Sequence, residues 1–136
     1  MRIDPGGFFD TRVRRRGRWA LAGMFTMIGL LHFLRPDLFM RIMPDYLPWH
    51  RELVLLSGFF EIAGGIGLVI PRVRALAAWG LLALLLAVFP ANLNMALTPE
   101  RFADVGPAWV FWARLPLQPL LMWVIYRCAL AGRPAA

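Results

Sequence analysis

Cysteine and histidine are scarce in this chain and lysine is missing. The one cysteine, Cys128, cannot close an internal disulfide. Without a Cys-x-x-Cys pair, neither dithiol redox chemistry nor a cysteine-based zinc site can be built. Its expected role is that of a small buried apolar residue. A bis-histidine haem would need both His32 and His50, and His50 stands at a loop end beside Arg51 and Glu52. His32 with Glu61 alone is too small a ligand set for a metal. No haem, metal or resident cofactor is therefore expected. A soluble domain is also excluded, because the longest connection between apolar segments runs only from Arg35 to Glu52.

The chain is dominated by apolar residues. Of its 136 residues, 60% are hydrophobic, whereas soluble domains average roughly 45–50%. Four segments reach the length of about 20 residues that crosses roughly 30 Å of hydrocarbon. They lie near Trp19–Leu34, Leu53–Ile70, Ala75–Leu97 and Ala108–Ala129. A soluble bundle would need charged faces at helical period, and Leu81–Phe89 has no charge on any face. The expectation is an all-α, integral membrane four-helix bundle over residues 18–130. A basic leader, 1–17, precedes it and a short tail, 131–136, follows.

All fifteen basic residues are arginine, and their placement sets an orientation. Arg2, Arg12, Arg14, Arg15, Arg16 and Arg18 precede the first span. Arg72 and Arg74 join the second to the third, and Arg127 and Arg133 close the fourth. The other side carries Arg35, Arg41, Arg51 and Arg101 mixed with Asp37, Asp45, Glu52, Glu100 and Asp104. The positive-inside rule then places both termini in the cytoplasm of a bacterial inner membrane. The net charge of +7 is concentrated beside a span, so topology and anionic lipid account for it without nucleic acid. No small-residue cleavage site follows His32–Pro36, so the first span reads as a retained signal anchor.

Within this frame the loop from Leu38 to Trp49, rich in apolar and aromatic residues, is expected at the interface. It caps the bundle from outside or anchors it as an aromatic belt. Ala63 and Gly67 form a small-xxx-small pair, and Ala83, Ala87 and Ala91 form a packing stripe that Asn94 continues. Pro71–Arg74 makes the second and third spans antiparallel neighbours. Pro90, Pro116 and Pro119 bend the spans that hold them.

Six polar residues interrupt the apolar stretches: His32, Glu61, Asn92, Asn94, Arg114 and Gln118. A charge near the bilayer centre costs about 2.5–3.5 kcal/mol on insertion scales. At about 1.5 Å per residue, all six fall at or outside the midplane. Glu61 is expected to face the interior and pair with Arg114 or reach Gln118, because opposite charges at similar depth cost less together than apart. Two roles stay open for the cluster. It holds the helices together, through contacts worth about 0.6 kcal/mol on average, or it forms a ligand or proton site. Ser57, one turn before Glu61, reads as a helix-packing serine rather than a nucleophile. No catalytic residue is identified.

In order along the chain, Gly29-Leu30-Leu31-His32-Phe33 with Pro36 is followed by Met43-Pro44-Asp45-Tyr46-Leu47-Pro48. Then come Ser57-Gly58 with Glu61 and Gly64-Gly65, Phe89-Pro90-Ala91-Asn92, and Arg114-Leu115-Pro116-Leu117-Gln118. Over about residues 20–128 the chain resembles the DoxX-like family of small four-helix membrane proteins. The resemblance implies a link to redox biology, since relatives include membrane subunits of thiosulfate:quinone oxidoreductases. It favours a non-catalytic accessory or anchoring subunit of a membrane redox or energy-converting complex. Its partners would be the lipid bilayer and other integral membrane subunits, docked against Trp79, Trp112 and Trp123. The alternatives are a protein that binds a quinone-like small molecule in a polar pocket of the outer half, and an assembly factor for membrane proteins.

Overall fold

The computed structural model describes residues 11–131 and is all-helical among them. Helix α1 spans Thr11–Leu34, α2 Pro36–Met40, α3 His50–Val69, α4 Arg74–Leu97 and α5 Ala108–Ile125. A 3₁₀ turn, Pro99–Phe102, follows α4, and a π-helical turn, Tyr126–Leu130, prolongs α5. Four of these helices are long and apolar enough to cross a membrane: α1, α3, α4, and α5 with its π turn. The first begins at Thr11, well before the apolar run, so residues 11–17 of the basic leader continue the span as helix. The rest of the leader, 1–10, and the tail from 132 onward lie outside the described residues.

Proline sets the boundaries at one end of the bundle. Pro36 stops α1 at Leu34, then occupies the first turn of α2, where its missing N–H is not needed. Trp49 has φ 53 and is the one non-glycine residue with positive φ among the described residues. That left-handed step turns the chain into α3. Pro71 ends α3, and a short turn to Arg74 makes α3 and α4 antiparallel neighbours, as the short connection requires. Helix α4 runs through Pro90, and α5 through Pro116 and Pro119.

The helices pack in sequence order, α1 on α3, α3 on α4, α4 on α5, with α1 against α3 the most extensive contact. The π turn closes the ring by bringing Cys128 and Ala129 back onto α1. There the Arg18 guanidinium donates to the Cys128 carbonyl at 2.8 Å. Cys128 is a free, buried thiol, in keeping with its reading as an apolar filler.

The main core lies towards this terminal end, with Phe25, Leu68, Ala78, Leu81 and Ile125 at its centre. A smaller core of Met95, Ala96, Phe102 and Phe111 lies at the opposite, loop end, with Ile42 packed on it. Two packing expectations are corrected. Ala83 and Ala87 are exposed, so the alanine stripe of α4 faces outward, and Ala78, Leu81, Leu82 and Leu85 do the packing. Ala63 is exposed as well, and on α3 the close contacts are made by Gly58, Gly64, Gly65 and Gly67.

Candidate functional site

The polar residues of the spans gather towards the loop end, but in separate groups. His32 lies two residues before the end of α1 and is buried. Its Nδ1 is 2.8 Å from the carbonyl of Ile28, one turn back, and 3.0 Å from Glu61 Oε2. The ring nitrogen is directed at the carbonyl, so Glu61 Oε2, although close, is buried with no hydrogen bond. Phe39 of α2 stacks on the imidazole, centroids 3.7 Å apart and planes 19° from parallel. Glycine makes this closeness achievable. A Cβ on Gly58 would lie 2.6 Å from His32 Cβ, and one on Gly29 would lie 2.7 Å from the Gly58 carbonyl.

A second group joins α4 to α5. Asn92 Nδ2 donates to Gln118 Oε1 at 2.8 Å, and Gln118 Nε2 donates to the Leu85 carbonyl. Gln118 is buried, so these bonds answer what a primary amide needs in an apolar setting. A third contact ties α4 to the loop, where Asn94 Nδ2 donates to the Ile42 carbonyl at 3.2 Å.

The expected Glu61–Arg114 pair does not form, and Glu61 does not bond Gln118. Glu61 is paired with His32, while Gln118 is occupied by Asn92 and Leu85. Arg114 is exposed, and its Nη1 lies 3.9 Å from Met95 Sδ. Position along a helix fixes depth but not azimuth. Similar depth put the two charges at one level and could not show that they look in different directions.

The loop end holds a second set of polar residues that sequence reasoning did not assemble. Arg41 makes a bidentate contact with Asp104, at 3.1 and 3.0 Å, and Arg101 meets Asp45 at 3.2 Å. Each loop therefore gives one arginine and one aspartate to the other. The Asp104 carboxyl is held below the usual range by its hydrogen bonds from Arg41, and Asp37 likewise by Arg35. The Arg41 guanidinium is pushed up in turn by Asp104. His50 Nε2 lies 3.1 Å from the Pro44 carbonyl. Between the loops is a cavity of about 300 Å³ lined by Met40, Arg41, Met43, Asp45, His50, Arg101 and Phe102. The signal available beforehand was the mixing of four arginines with five acids at this end, against the strong excess of arginine at the other.

Among the described residues no three His, Cys, Asp or Glu side chains come together as a metal site. The spans offer hydrogen bonding, one imidazole–carboxylate pair and one isolated guanidinium. A family model for a domain of unknown function, DUF8561, matches residues 21–129, most of the chain. No curated protein matches the chain. No solved structure matches it either.

Proposed function

The chain belongs to the DUF8561 family, and from that premise we propose that it is a non-catalytic accessory or anchoring subunit of a membrane redox or energy-converting complex. It would sit in the bacterial inner membrane with both termini cytoplasmic, as a relative of the DoxX-like proteins that its motifs resemble. The observation that carries this reading is where the polar and apolar groups point. The amides of the spans are used within the chain, by Asn92 with Gln118 and by Asn94 with Ile42. The outward surface is large and aromatic. Only 17% of the span windows of α4 and of α5 with its π turn is buried, against 28% and 33% for α1 and α3. Trp79, Trp109, Trp112 and Trp123 all face outward from those two helices. Apolar helix faces with large aromatic anchors suit docking to other helices.

The test is affinity purification of the tagged chain from native membranes in mild detergent, with mass spectrometry of what accompanies it. Stoichiometric recovery of redox or energy-converting subunits is expected. Recovery of the chain by itself would overturn the reading.

One observation favours the ligand alternative, the buried Glu61 Oε2 that lacks a hydrogen bond beside His32. A hydroxyl of a reduced quinone-like headgroup would supply the missing donor. Extraction of a quinone from the purified chain, lost in Glu61→Gln, would put this reading first.

A further inference from the structure

Arg114 is the one polar residue of the six that the fold leaves exposed. It lies six residues into α5, so its Cα is about 9 Å along the axis from Ala108. Met95 Sδ, at 3.9 Å, is a weak acceptor for a group with five N–H donors. No described carboxylate is within ion-pair distance of it. Asp37, Asp45 and Asp104 are held by other arginines, and Glu61 lies against His32. One turn away on α5 are Val110, Phe111, Leu117 and Gln118. Gln118 is the one polar residue of these and is buried and taken up by Asn92 and the Leu85 carbonyl. The apolar Leu117 is exposed beside Arg114. A permanent cation therefore stands by itself in an oily face, where a charge is costly unless something from outside meets it.

We propose that Arg114 is the docking charge for a partner's transmembrane helix that carries an aspartate or glutamate at the same depth. This rests on the accessory-subunit reading and adds the chemistry by which the partner is recognised. A guanidinium and a carboxylate form a planar, bidentate pair that gains strength and direction in apolar surroundings. Lipid phosphate explains the position less well. Arg35 and Arg51 are already exposed at the loop end, at the ends of the long apolar helices, and an arginine meant for phosphate has no reason to be placed further along α5. Trp112 is two residues from Arg114 and so projects from nearly the opposite side of α5. The charged and the aromatic faces can therefore be tested separately.

The experiment purifies the tagged full-length chain from native membranes as wild type, Arg114→Gln and Arg114→Asp, each first checked for an unchanged melting temperature. The proposal expects a stoichiometric partner with an Asp or Glu inside one of its spans, lost at least tenfold in both variants. Replacing that partner carboxylate by arginine should restore recovery with Arg114→Asp. If wild type and Arg114→Gln bring the partner equally, the docking charge is wrong while the accessory reading stands. The docking charge is equally wrong if Arg114→Gln loses only bound phospholipid. If wild type comes alone, both readings fall.

Discussion

At the scale of single residues, the tight crossing of α1 and α3 at Gly58 is a place where a methyl group would do harm. A Cβ on Gly58 would meet His32 Cβ at 2.6 Å and the Gly29 carbonyl at 2.9 Å, neither of which is the free end of a flexible chain. Gly58→Ala must push α1 from α3, and overpacking of this kind costs about 1–3 kcal/mol. Gly80, which has nothing within 4 Å of its added Cβ, is the matched control. There alanine gains up to about 1 kcal/mol of helix propensity. Melting in detergent should therefore fall for Gly58→Ala and stay level or rise for Gly80→Ala. Equal effects would mean that α1 and α3 do not pack this closely. The buried amide makes a second case. Gln118→Leu removes the contacts to Asn92 and the Leu85 carbonyl and leaves Asn92 without its acceptor. A loss between about 0.6 and 1.7 kcal/mol is expected on the scale of interhelical polar contacts in membranes. A neutral result would show that this network is spare. The polar residues themselves were legible in the sequence, because each breaks an apolar run. Their partners were not, because the pairing of His32 with Glu61 depends on how α1 is rotated against α3.

At the scale of elements, the four long helices were legible for a simple reason: uninterrupted apolar runs of about 20 residues favour helices long enough to cross a membrane, and four such helices exist. The start of α1 was not, since hydropathy marks where the oily surface begins rather than where the helix does. Arginine continues a helix readily. The alanine stripe of α4 misled because that helix is apolar all round. Small residues four apart then share a face without any sign of whether it looks in or out. The loops carry the testable device at this scale. Reciprocal pairs, Arg41 with Asp104 and Arg101 with Asp45, fasten the loop that holds Phe39 to the one after α4. They are exposed, so their loss should barely move the melting temperature. It should instead widen the spread of distances between spin labels at positions 46 and 105 in Arg41→Gln/Arg101→Gln. The pH dependence has a definite sign. The folded-state value of Asp104 is lowered, so its contribution is present above the ordinary aspartate value near about 3.9 and fades as pH falls below it. The label distances should stay narrow from pH 8 to 5 and broaden only under about pH 4. Broadening already well above pH 5 would show that the Asp104 carboxylate is not what holds the loops together.

At the scale of the whole molecule, charge and topology constrain one another. Among the described residues, Arg12, Arg14, Arg15, Arg16, Arg18, Arg72, Arg74 and Arg127 gather at the terminal end, where no described acid accompanies them. The loop end mixes Arg35, Arg41, Arg51 and Arg101 with five acids. Four helices long and apolar enough to cross a membrane, taken as spans, would put the start of α1 and the end of α5 on one side, and the π turn seats Cys128 against α1. Arginine near span ends is retained in the cytoplasm, while acidic residues contribute little to orientation. Fluorescent-protein fusions at either terminus should therefore fluoresce, since the fold of that reporter matures inside the cell. Alkaline phosphatase inserted after Val105 should be active, because it needs the oxidising outer side for its disulfides. Neutralising Arg12, Arg14, Arg15 and Arg16 together removes much of the bias and should yield a mixed population with both reporters partly active. If the terminal fusions are dark and phosphatase there is active, the bundle is inverted. His32, Glu61 and Arg114 would then lie in the cytoplasmic half, and a partner that meets Arg114 would have to offer its carboxylate from that side.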